Sequence, residues 1–106
     1  MIDATLEIRR LNDSFRRGGG KRLMTAGIAL PPQDQAAILA KVIAFDAFTE
    51  DNDPHGEHDF GAFDHAGHRI FWKIDYYDQS LEFGSENPAD PAHTTRVLTI
   101  MLAEEY

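Results

Sequence analysis

From Arg69 to Asp78 the chain reads RIFWKIDYYD, and Ile70, Trp72, Ile74 and Tyr76 take every second position while Arg69, Phe71, Lys73 and Asp75 fill the rest. Successive side chains of a strand point to opposite faces, so this period of two predicts a half-buried strand with the first set facing a core. Phe60 and Phe63 precede it, and Ala66-Gly67 supplies a turn. The pattern from Glu57 onward therefore predicts a β-hairpin rich in aromatic and β-branched residues. A third strand is expected at 81–83, after a turn at Asp78-Gln79-Ser80.

Helical spacing governs other parts of the chain. In residues 3–17, Ala4, Ile8, Leu11 and Phe15 recur every three or four positions, with Asp3 as N-cap and Glu7 near the first turn. This stripe is expected to face the core, which puts Arg9, Arg10, Arg16 and Arg17 on the opposite side as one patch, with Asp13 among them. Gly18, Gly19 and Gly20 end that helix and form a joint. Residues 21–30 suit a short strand interrupted at Gly27. Pro31 and Pro32 then open a second helix, expected through Phe48 and apolar nearly all round, hence central and buried. Asp90 as N-cap and Pro91 in the first turn predict a last helix, with Val97, Leu98, Ile100, Met101 and Leu102 as its buried face. The expected fold is α+β: three helices packed on a small antiparallel sheet of two to four strands.

The chain is 106 residues long, one domain's worth, with 42% hydrophobic and 26% charged residues. That composition supports one modest core and excludes a disordered chain. No cysteine is present, which removes disulfides, thiolate metal sites and cysteine nucleophiles, and suits a bacterial cytosol. The first twenty residues carry four arginines and no continuous apolar run, so neither a signal peptide nor a membrane span is expected.

Charge is distributed unevenly. Residues 1–22 hold six basic and three acidic side chains, a net +3, while residues 23–106 hold four basic and fifteen acidic ones, a net −11. The division is a basic helix and glycine joint (1–22) followed by an acidic α+β body (23–106). A basic arm on an acidic protein points to a polyanion, and Arg suits bidentate phosphate contacts, so Arg9, Arg10, Arg16, Arg17, Lys21 and Arg22 are the candidate nucleic-acid-binding residues. Few aromatics interleave with them, which favours phosphate contacts over base readout.

Catalytic and metal readings carry less. The loop EDNDPHGEHD (50–59) places Asp51, Asp53 and Gly56 where a calcium loop needs them, but Ala62 stands where the bidentate carboxylate belongs. His55 and His58, with Glu57, Asp59 or His65, would be the ligands of a metal-dependent hydrolase, yet their spacing matches no established site. A turn-forming acidic loop is the plainer expectation, and neither a cofactor nor a catalytic residue is expected. The chain lacks GxxxxGK[ST], GxSxG and HExxH.

The stretches FDAFTEDNDPHGEHDFGAF (45–63), RIFWKIDYYD (69–78) and NPADPAHTTRVLTIMLAEEY (87–106) together resemble an uncharacterised family of short bacterial proteins carried on plasmids, prophages and other mobile elements. In size and acidity the chain is also similar to anti-CRISPR proteins, in particular those acting on the type I-E system. That resemblance implies a cytoplasmic, stoichiometric inhibitor of CRISPR interference, not an enzyme, whose partner is the CRISPR effector complex or the single-stranded DNA it displaces. The charge split then offers two mechanisms: the basic arm grips the displaced strand, or the acidic body mimics phosphate and occupies a basic surface of a Cas protein.

Overall fold

The computed structural model describes residues 4–18, 21–24 and 30–106, the side chains of 21–24 excepted. Helix α1 spans Ala4–Gly18, strand β1 Lys21–Met24, helix α2 Pro32–Ala44, β2 Phe60–His65, β3 His68–Tyr77 and β4 Thr95–Leu102, and a 3-10 turn follows at Ala103–Glu105. The class is α+β. Asp3, Gly19, Gly20 and Gly27 lie outside the described residues, and so do the side chains of Lys21 and Arg22.

The sheet has four strands in the order β1-β4-β3-β2, with β2, β3 and β4 antiparallel and β1 parallel to β4 along one edge. Strands β2 and β3 form the expected hairpin, in which Ala66 (φ 51°) and Gly67 (φ 82°) both adopt the left-handed conformation that matches the twist of the flanking strands. On β3 the alternation holds: Ile70, Trp72 and Ile74 are buried and Tyr76 partly so. They stand opposite Leu102, Ile100, Leu98 and Arg96 of β4. With Ile38 and Val42 of α2 these apolar residues make the core, and Phe15, Phe45, Phe48 and Phe63 pack at its margin.

The last helix is replaced by β4. The run Val-Leu-Thr-Ile-Met-Leu covers half a helical wheel as readily as it fills a strand buried on both faces, and here it is the strand: Val97 and Met101 are buried as well as Leu98 and Ile100. Lying between β1 and β3, it has both backbone edges paired. Asp90 does cap locally, accepting from the Ala92 N–H at 2.9 Å, but the turn it makes leads into the strand.

Three further expectations are corrected. Helix α2 stops at Ala44, before Phe48, and it is not buried all round: Ile38 and Val42 face the core while Ala36, Ala40 and Ala44 are exposed. No strand forms at 81–83, because the Asp78 carboxylate accepts from the Glu82 N–H (3.2 Å) and the Ser80 hydroxyl (2.7 Å), turning the chain so that only Tyr77 and Gly84 form a bridge. His65 of β2 also ties down α2. Lys41 Nζ lies 3.1 Å from His65 Nδ1, and since an ammonium only donates, Nδ1 accepts and Nε2–H donates to Asp34 Oδ1 at 3.1 Å.

Trp72 is accommodated by an absence. Gly61 is its cross-strand partner, and a Cβ at that position would lie 2.3 Å from the indole Nε1 and 2.6 Å from Cε2. Gly61→Ala is therefore expected to displace the indole and destabilise the fold by about 3 kcal/mol, read as a lower urea midpoint with a changed tryptophan emission in the native baseline.

Candidate functional site

The end of α2 sets the first requirement. A helix leaves its last carbonyls without internal donors, and their partial negative charge favours a cation. Arg16 supplies both: its Nη1 donates to the carbonyls of Val42 (2.9 Å) and Phe45 (2.6 Å), and Nη2 donates to Asp13 Oδ1 at 3.1 Å. The guanidinium carbon lies 5.4 Å from the Phe48 ring centre and 5.0 Å from that of Trp72, a cation over two aromatic faces. Arg16 is 1% exposed. Burial pulls its pKa down, opposed by Asp13, and the guanidinium stays charged.

One turn earlier on the same face, Asn12 is 0% exposed and uses its whole side chain. Nδ2 donates to the Glu57 carbonyl (3.0 Å) and to the Tyr76 hydroxyl (2.7 Å), and Oδ1 accepts from Arg96 Nε at 2.7 Å. Arg96 only donates, so the amide orientation is dictated by its neighbours. Tyr76 in turn donates to Glu57 Oε1 at 2.8 Å, and burial pushes its phenol pKa up, so the hydroxyl keeps its proton.

The acidic segment is a structured loop docked on α1. Thr49 and Asn52 exchange hydrogen bonds, Thr49 N–H to Asn52 Oδ1 at 2.8 Å and Asn52 N–H to Thr49 Oγ1 at 3.3 Å. Asp53 is buried and accepts from the His58 N–H with both oxygens. The His58 ring stacks on Phe48 with centres 3.8 Å apart, and its Nδ1 lies 2.9 Å from Asp13 Oδ1. Gly56 adopts φ 69° where Arg9 Nε donates to its carbonyl at 2.6 Å, and a Cβ there would strain the turn and push against Arg9 Nη2 at 2.9 Å.

These contacts dismantle the predicted outward patch. Arg9 and Arg16 turn inward, onto the loop and the end of α2. Arg10 is exposed but paired with Glu7 at 2.6 Å. Arg17 is exposed, and among the described residues no carboxylate pairs with it. Lys21 and Arg22 stand on β1, within the stretch expected to form a short strand, in register with Val97 and Leu98. The helix stripe is rotated from the expected one: the buried residues are Ile8, Asn12 and Arg16, four apart, with Leu11 and Phe15 half-buried beside them and Ala4 exposed. Spacing carried a signal for this face, since 8, 12 and 16 line up as well as 8, 11 and 15, but polarity argued against it.

The metal reading finds no geometry. Among the described residues no group of three or more His, Asp or Glu side chains is placed to hold an ion, and His58 is engaged by Asp13 while His55 is exposed. The loop and helix enclose a shallow cleft of about 470 Å³ lined by Arg9, Phe48, Asp53, His55 and His58. What the junction does chemically is to absorb cations: two arginines of α1 and Arg96 of β4 are spent on holding helix, loop and sheet together, while Asp46, Glu50 and Asp51 remain exposed.

The model of a family described as a protein of unknown function, DUF3768, matches residues 24–105. The match begins after α1, so the helix lies outside it. Comparison with curated proteins and with solved structures finds no match.

Two measurements check the junction. Arg16→Gln removes the charge that meets the α2 carbonyls and leaves Asp13 without its arginine partner, and is expected to cost about 3–5 kcal/mol in chemical denaturation, whereas Arg17→Gln should change stability by less than about 0.5 kcal/mol. Asp59 gives the pH dependence. Its burial pushes the carboxyl pKa up, and the charges of Glu57 and Asp53 add to this. A carboxyl that holds its proton more tightly when folded favours the fold while protonated and loses that contribution as pH rises from its ordinary value, about 3.9, through the raised one. Asp59→Asn should therefore raise the melting temperature at pH 7, and the gain should vanish below about pH 4.

Proposed function

We propose, for a chain that belongs to the DUF3768 family of unknown function, that it is a stoichiometric, non-enzymatic binding protein whose acidic surface engages a basic surface on a protein partner. The observation that carries this reading is the fate of the arginines. A formal charge of −8 already disfavours polyanions, and of the four arginines of α1, Arg9 and Arg16 are turned inward and Arg10 is paired, which leaves Arg17 outward. Asp46, Glu50, Asp51, Glu82, Glu86, Glu104 and Glu105 meanwhile stay exposed. Such a surface attracts a cationic partner at long range and repels nucleic acid.

In its specific form the reading makes the protein an inhibitor of type I-E CRISPR interference, working in the bacterial cytoplasm by occupying a basic DNA channel of a Cas protein. Its support is the likeness in size and acidity to such inhibitors and the exposed carboxylates. Among the described residues no helix is long and apolar enough to cross a membrane. The basic-arm alternative, with single-stranded DNA as ligand, retains Arg10 and Arg17 as outward-facing cations in α1, Arg10 bound to Glu7.

Charge reversal separates the two, provided that it avoids Arg16, whose loss disturbs the fold in either case. Asp46→Lys with Glu50→Lys and Asp51→Lys is expected to weaken capture of purified effector subunits at least about tenfold and to flatten the salt dependence, while Arg10→Glu with Arg17→Glu leaves capture intact. A gel shift with single-stranded DNA that the arginine reversal abolishes, with subunit capture insensitive to the acidic reversal, would transfer the function to the helix.

A further inference from the structure

Arg96 differs from Arg16 in having no counter-ion. It stands on the core face of β4 opposite Tyr76 and is 7% exposed. Its Nε is taken by Asn12 and its Nη2 donates to the Pro88 carbonyl, while the guanidinium carbon sits 5.2 Å from the Tyr76 ring centre. Among the described residues no carboxylate comes within 4.0 Å, and Nη1 makes no hydrogen bond there and is not among the buried unpaired atoms, so it opens to solvent. Glu57 and Glu7 act on it only from a greater distance, and Glu57 is already bonded to Tyr76. A largely buried cation held by neutral acceptors alone is stabilised by an anion that reaches its open amino group.

The space for one is present. Arg96 reaches a cleft of about 400 Å³ between α1 and the segment that leads into β4, a volume suited to a small molecule. Leu11, Phe15 and Pro91 give it apolar walls, and Ser14, Thr94 and Thr95 bring hydroxyls. Thr94 Oγ1 is engaged by Asn87 and Ser85, whereas Ser14 and Thr95 make no side-chain hydrogen bond among the described residues. Arg17 stands on the rim of a neighbouring cleft that shares Ser14, so an anion entering there passes a second cation.

We propose that this cleft is a binding site for a small organic carboxylate with an apolar body, its carboxylate bound end-on to Arg96 Nη1 within reach of Ser14 or Thr95, and its body against Leu11, Phe15 and Pro91. The depth of Arg96 selects against a polyanion, whose backbone phosphates sit on a chain too wide to reach a guanidinium this enclosed. One free amino group and apolar walls also favour a carboxylate on a hydrocarbon over bare inorganic phosphate.

The test uses the full chain, isotope-labelled, titrated with sodium benzoate, with the uncharged isostere benzamide and with inorganic phosphate. Benzoate is expected to give saturable amide shifts at Leu11, Phe15 and residues 94–96 with a Kd on the order of 1 mM, and benzamide to bind at least about tenfold more weakly for want of the charge-assisted bond. Ser14→Trp, which fills the cleft from an exposed position, should abolish the shifts while leaving the melting temperature of the free protein unchanged. Arg96→Gln should abolish them too, and if that variant does not fold, Ser14→Trp decides alone. The proposal fails if benzoate produces no saturable shift at these residues up to about 50 mM, if benzamide binds equally well, or if Ser14→Trp still binds. Phosphate binding as tightly as benzoate would remove the apolar body from the ligand's description.

Discussion

The carbonyls of Val42 and Phe45 at the end of α2 are met by a guanidinium borrowed from α1. Much of the molecule's arrangement follows from that single demand. For Arg16 to reach Val42 and Phe45, the face of α1 carrying positions 8, 12 and 16 must point inward, and this brings Asn12 to the centre of the polar network. Asn12 then joins loop, β3 and β4 through Glu57, Tyr76 and Arg96, with each of its polar atoms used. A buried charge of this kind contributes less to net stability than its contacts suggest, since desolvation offsets them. What it secures is orientation: only one rotation of α1 satisfies both the cation and the amide.

The same inward turn alters how the protein presents itself. Helix α1 displays less positive charge than its sequence carries, because Arg16 is buried, Arg9 is half-buried against the loop and Arg10 is matched by Glu7, which leaves Arg17 outward. The acidic loop is likewise divided. Asp53 and Asp59 are drawn into the structure, one as a turn-forming acceptor and one as a carboxyl whose ionisation the fold resists, while Glu50 and Asp51 are displayed. Counting charges along a chain therefore overstates the positive arm and describes the negative body more faithfully.

How far the fold could be read from residues alone varies with the kind of signal. The β2–β3 hairpin was legible because a strand with one buried face writes its period into the sequence, and Ala66-Gly67 marked the turn. Strand β4 was not, since a strand covered on both faces has no alternation to show, and the Asp90-Pro91 pair preceding it imitates a helix start. The extent of α1 was legible and its rotation was not. Assigning charged residues outward is sound unless a neighbouring element needs a donor, and that need arises only once α2 is in place. Of the six basic residues singled out, Arg17 alone among the described side chains stands outward without a pair. Asn12 and Arg96, which organise the junction, carried no motif at all.

The bond between Asn12 and Arg96 joins residues 84 positions apart, and β1 lies in parallel register beside the chain's last strand. Closing so long a loop is entropically expensive and slow compared with forming the adjacent hairpin. Helix α1 is made before β4, so the polar face that carries Asn12 has no seat until the strand that carries Arg96 has followed it.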